Sequence, residues 1–78
     1  MVGQVELLIQ LNRYLNRNQI AKKTGAPLQQ VIRWFQGTPV KGKYRNTLLR
    51  TAEETLMWRA NRYDKQRLRD AIDAWRDR

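Results

Sequence analysis

Three observations predict an all-α protein, a compact domain of four to five helices with a C-terminal helical tail. Apolar residues recur at intervals of three and four through most of the 78 residues, and no segment shows the strict alternation of a half-buried strand. Glycine occurs only at 3, 25, 37 and 42 and proline only at 27 and 39, so the first half is cut into short pieces while Tyr44 to Arg78 is uninterrupted. The chain has no Cys and no His, so one modest hydrophobic core must hold it without disulfides or the usual zinc ligands.

The elements follow in order. Val5 to Leu15 places apolar residues at 5, 8, 9 and 15 and again at 7, 11 and 14, which predicts a helix buried on more than one side. Asn16 or Asn18 is suited to cap a second helix, Gln19 to Thr24, which Gly25 ends at a left-handed position. Pro27 fits the first turn of a third helix, Leu28 to Phe35, closed by Gly37. Gly37 to Lys43 reads as a loop rich in cations and turn residues. Beyond it Leu48, Leu49, Ala52, Leu56, Ala60 and Tyr63 share one stripe, and Leu68, Ala71, Ile72 and Trp75 share another, rotated by roughly a third of a turn at ~3.6 residues per turn. The change of face places a break near 61–64, with Asn61 or Asp64 as cap, and divides the chain into a domain at 1–60 and a C-terminal helix at 61–78.

Charge is distributed unevenly. The net charge is +9. Residues 7–52 contain no acid and nine cations, whereas 53–78 hold seven cations against six acids. A solvated face mixes signs, as the tail does; a continuous acid-free basic stretch is what a surface facing a polyanion requires.

Within that stretch lies Gln19-Ile-Ala-Lys-Lys-Thr-Gly-Ala-Pro-Leu-Gln-Gln-Val-Ile-Arg-Trp-Phe-Gln-Gly37. Two short helices crossing steeply need a small residue at their contact, which Ala21 supplies, and a tight turn with positive φ, which Gly25 supplies. Ile20, Ala26, Val31 and Trp34 are spaced to face inward. This segment resembles the lambda-repressor and Cro-like helix-turn-helix family of phage and bacterial regulators, well over 18–37 and more loosely to 56, where Leu48, Leu49, Ala52 and Leu56 resemble the family's next core helix. It departs from the family pattern at Thr24, where a larger aliphatic residue is usual, and at Pro27, where a small capping residue is common.

The resemblance implies that Leu28–Gln36 is a recognition helix entering the major groove. The inward set leaves Leu28, Gln29, Ile32, Arg33 and Gln36 outward, with Gln30 at the margin. Gln pairs bidentately with adenine and Arg with guanine, so Gln29 and Arg33 are the first candidates for base reading and Gln30 the next. Leu28 and Ile32 either meet thymine methyl groups or pack on the first helix or the loop. Asn18, Gln19, Lys22 and Lys23 at the second helix, and Lys41, Lys43, Tyr44, Arg45 and Asn46 at the loop and the following helix start, are candidate phosphate contacts. Trp34 is expected in the core, Trp75 in the core or an interface, and Trp58 falls off its helix's main stripe.

The function expected is sequence-specific binding of double-stranded DNA by a small transcriptional regulator, of phage or mobile-element repressor type, reading the major groove as a homodimer. The alternatives are an excisionase-like or packaging factor that shapes DNA, and a basic protein-binding module. No enzyme, metal, cofactor or small-molecule ligand is expected: Ser is missing along with His and Cys, and Asp70, Asp73 and Asp77 interleave with Arg69, Arg76 and Arg78 as a solvated ion-pair face. The tail stripe Leu68, Ala71, Ile72 and Trp75 must be buried either on the protein's own domain or on a second copy, and the dimer is the expectation because the near-neutral tail is unsuited to DNA. The longest early apolar run, Leu7–Leu8–Ile9, is too short for a signal core or a membrane span, so a cytoplasmic location is expected.

Overall fold

The computed structural model describes residues 2–76, and among them the fold is all-α. Five helices follow one another: α1 (Val2–Leu11), α2 (Arg17–Thr24), α3 (Leu28–Phe35), α4 (Gly42–Trp58) and α5 (Arg62–Arg76). None is long and apolar enough to cross a membrane.

Helix α1 starts and ends earlier than its apolar pattern predicts. After Leu11 the chain closes a tight turn, with the Tyr14 and Leu15 N–H groups both donating to the Leu11 carbonyl. The turn brings Leu15 back into the core and delivers Asn16 to the N-cap of α2. Asn16 and Gln19 form a reciprocal capping box, in which the Gln19 N–H donates to Asn16 Oδ1 (2.8 Å) and the Asn16 N–H donates to Gln19 Oε1 (2.9 Å). The helix therefore begins at Arg17, ahead of Gln19. Gly25 ends it at φ 78, in the left-handed region. Pro27 precedes α3 in extended geometry as its N-cap (φ −62, ψ 146).

Buried Thr24 is satisfied locally: its hydroxyl donates back to the Ile20 carbonyl at 2.8 Å. Polar Thr thus occupies a site suited to an aliphatic residue without leaving a buried group unpaired. Thr51 and Thr55 on α4 do the same toward Thr47 and Thr51.

The core is continuous through all five helices. Leu7, Leu8 and Leu11 of α1, Ile20 of α2, Val31 and Trp34 of α3, and Leu48 and Ala52 of α4 are all fully enclosed. Helix α5 belongs to the same core. It packs chiefly on α1 and secondarily on α4, and Leu68 (0% exposed), Ala71 (4%), Ile72 (2%) and Trp75 (4%) are all covered within the one chain. The α1–α5 approach is close enough that a Cβ on Gly3 would sit 3.1 Å from the Trp75 Cα. This corrects the expected dimer stripe: these four residues are intramolecular core, because the wide apolar arc of α1 supplies the surface they need. The expected division at 60/61 falls between α4 and α5, and α5 packs on α1 and α4. The α4 stripe ends at half-buried Ala60, and Tyr63, counted with it in the sequence pattern, is 87% exposed.

Candidate nucleic-acid interface

Helix α3 is the most sharply two-sided element of the fold. Val31 and Trp34 are fully buried, and the Trp34 ring packs against Tyr44 at 5.6 Å between centroids. On the other side Leu28, Gln29, Ile32, Arg33 and Gln36 are exposed and Gln30 is half-buried. Leu28 and Ile32, one turn apart, remain 39% and 37% exposed, so they neither pack fully on α1 nor leave the surface. The outer face thus carries amides, one guanidinium and two aliphatic side chains, with no acid on the helix.

The surroundings of α3 are fixed by contacts that do not consume this face. Gln4 of α1 donates from Nε2 to the Trp34 carbonyl (3.1 Å) and the Thr38 carbonyl (2.7 Å), and its Oε1 accepts from the Val40 N–H (3.1 Å). One buried amide thereby holds the end of α3 and the loop after it. Gly37 (φ 104) turns the chain at the head of that loop. Arg17 lies over the half-buried Phe35 ring at 4.8 Å, bracing α3 against the start of α2. The Thr47 hydroxyl donates to the Thr24 carbonyl (3.2 Å), which docks the first turns of α4 beside the α2–α3 turn. Lys22 and Lys23 at the end of α2, and Lys43 and Asn46 at the start of α4, are all exposed.

The candidate phosphate contacts divide in this arrangement. Asn18, Lys22, Lys23, Lys41, Lys43 and Asn46 are exposed. Gln19 is exposed, but its Oε1 is engaged in the capping box, leaving its amide N–H groups to meet a ligand. Tyr44 is half-buried against Trp34, with Lys43 Nζ 4.9 Å from its ring centroid. Arg45 is turned away from any such role. Its guanidinium stacks on the Trp75 ring at 4.4 Å and donates to the Trp75 carbonyl at 2.6 Å. A cation near the C-terminal end of α5 is favourable there, so the side chain anchors the tail.

A second polar cluster ties the turn after α1 to α5. Arg13 pairs with Asp64 at 2.9 Å and the Tyr14 hydroxyl donates to the other Asp64 oxygen at 2.8 Å. The Tyr14 bond, with help from Arg13 and Asn61, lowers the Asp64 pKa despite burial. Tyr14 is shifted up, by burial first and then by its bond to that carboxylate. One cation of the acid-free stretch is thus neutralised by an acid of the tail. Nothing local in the sequence marks Gln4, Arg13, Tyr14 or Arg17 for these tasks, since each acts on a partner distant along the chain or across a turn. Among the described residues no cluster of acids could hold a metal ion.

Comparisons with family models, curated proteins and solved structures give no significant match to the chain.

Proposed function

We propose that this protein binds double-stranded DNA in a sequence-specific manner and regulates transcription, with α3 as the helix that reads the major groove. The observation that carries the reading is the outer face of α3. A short helix that exposes Leu28, Gln29, Ile32 and Arg33 and no acid is poorly suited to solvent and well suited to base edges. Gln and Arg match the donor and acceptor patterns of adenine and guanine, and aliphatic side chains match the thymine methyl. Gln30 and Gln36 flank this set. Asn18, Gln19, Lys22, Lys23, Lys41, Lys43 and Asn46 supply backbone contacts that fix register and most of the affinity. The resemblance of 18–37 to lambda-repressor and Cro-like regulators agrees with this assignment, and a homodimer on a two-fold site would double the sequence read.

The test is a selection from a random duplex pool, followed by fluorescence anisotropy on the enriched and unselected pools across a salt series. The reading predicts an enriched motif and an affinity that falls steeply with salt for both pools, the enriched pool binding at least ~1,000-fold tighter. Salt-sensitive binding without enrichment would assign the protein to DNA shaping instead, and salt-insensitive or undetectable binding would remove DNA as its ligand.

A further inference from the structure

The near balance of charge in residues 53–78 conceals a separation within it. Residues 55–69 hold five cations and one acid, Asp64, while the other five acids lie to either side. That one acid is buried and bound to Arg13. Arg67 and Arg69 line grooves shared with acids, but Arg59, Arg62 and Lys65 are exposed and make no ion pair among the described residues. The same corner, where α4 gives way to α5, carries three exposed large apolar side chains: Met57 (67% exposed), Trp58 (79%) and Tyr63 (87%). Hydrogen bonds hold its backbone. The Arg59 and Ala60 N–H groups both donate to the Thr55 carbonyl, and the Asp64 N–H donates to Asn61 Oδ1 at 2.9 Å. A backbone already held in place lowers the ordering cost of binding.

We propose that this α4–α5 corner is a second nucleic-acid surface, separate from α3, and that its ligand is single-stranded DNA. Trp58 and Tyr63 are the stacking platforms, and Arg59, Arg62 and Lys65 contact phosphates. Unpaired bases offer a π-face whatever their identity, whereas a duplex keeps those faces stacked on one another, so open aromatic rings among cations fit a single strand. Guanidiniums add to the match, since they pair with phosphate and stack on flat rings. Trp58 and Tyr63 are separated by at most ~18 Å of chain, so both fall within one short binding site. Glu54 is the one exposed acid within a helical turn of Trp58 along the chain, and the corner stays cationic. An anionic membrane would match the charge, but interfacial binding scales with the apolar area inserted. The apolar stripe of α5 is spent in the core, which leaves too little for that. The site goes beyond the α3 reading; only the choice of DNA over RNA rests on it, because that reading already brings DNA to the protein.

The test is anisotropy of a fluorescein-labelled oligothymidylate of about 16 nucleotides, with tryptophan emission recorded on the unlabelled strand. Trp34 and Trp75 are buried, so quenching by bound strand reports on Trp58. The wild type should bind with salt-dependent affinity and lose Trp58 emission. Trp58→Ala with Tyr63→Ala should weaken strand binding ~30-fold or more, as the loss of two stacked bases does. Circular dichroism and affinity for duplex should be unchanged, because neither side chain is in the core or on α3. Arg59→Gln with Arg62→Gln should lower the salt slope for the strand by roughly 1.4. A wild type that leaves the strand free, or binds it without quenching, overturns the proposal. So does a Trp58→Ala/Tyr63→Ala protein that binds the strand as the wild type does, or an oligouridylate bound more tightly than the oligothymidylate. Capture by phosphatidylglycerol vesicles with the strand left free assigns the corner to a membrane and overturns it as well. A wild type that selects no duplex motif yet binds the strand with quenching supports this site and removes the α3 reading alone.

Discussion

At the scale of single residues, α3 separates two kinds of work along one helix. Arg33 and Gln29 are held outward by the burial of Val31 and Trp34, so their truncation should leave the fold intact. Arg33→Ala or Gln29→Ala should cost ~1–3 kcal/mol on the preferred duplex and relax preference at one base pair, checked by anisotropy on single-base variants of that duplex. Lys43→Ala should weaken all duplexes about equally and reduce the salt slope by about one unit. Arg45 sits two residues further on and should behave otherwise. With its guanidinium over Trp75 and bonded to the Trp75 carbonyl, Arg45→Ala should lower stability by ~1–3 kcal/mol in urea denaturation while leaving the salt slope of binding unchanged. Asp64 gives a pH dependence with a defined sign. Its folded-state pKa is lowered by Tyr14 and Arg13, so its contribution is present above the ordinary carboxylate value and is lost as pH falls through the folded value. Tyr14 is shifted the other way, so its contribution is complete below the ordinary phenol value and is lost as pH rises through the folded one. Asp64→Asn should therefore flatten the acid limb of the stability profile measured by thermal melting.

At the scale of elements, the turn between α2 and α3 and the destination of α5 decide the architecture. Gly25 at φ 78 has open space around its Cβ position, so Gly25→Ala meets backbone strain alone, ~1–2 kcal/mol, read as a lower melting temperature. Because Leu68 and Ile72 are buried in the chain's own core, Leu68→Asp with Ile72→Asp should unfold the protein, at a cost of about 4 kcal/mol or more. A folded double variant would contradict this packing. The short helices were legible in the sequence because their signals are local: Gly25 after Thr24, Pro27 before Leu28, and the three-residue step from Val31 to Trp34 are read without knowing what lies opposite. What covers Leu68, Ala71, Ile72 and Trp75 was not legible, since periodicity marks an apolar stripe and is silent on whether its partner is α1 of the same chain or a second copy. The contact of Arg45 with α5 was not legible for the same reason: a basic loop-and-helix start suits phosphate, and only the position of Trp75 engages this side chain within the fold. Gln4, polar within an apolar-rich helix, had no local signal for its three bonds to the end of α3 and the loop after it.

At the scale of the whole molecule, the five helices form one body with an uneven charge distribution. The acid-free stretch 7–52 takes in α2, α3 and the first part of α4, whereas residues 53–78 are close to neutral. One packed core makes the position of α3 depend on distant contacts. Trp34→Ala should cost ~3–5 kcal/mol, a large share of the stability of so small a domain, and abolish binding by unfolding, which circular dichroism distinguishes from the folded but non-reading Arg33→Ala. The central claim is that the outer face of α3 carries the sequence code. The most direct measurement is a side-by-side selection of bound duplexes by the wild type and by folded Arg33→Ala. The account predicts one motif shared by both at every position except a guanine-containing pair that loses its preference in the variant; identical motifs with identical affinities would contradict it.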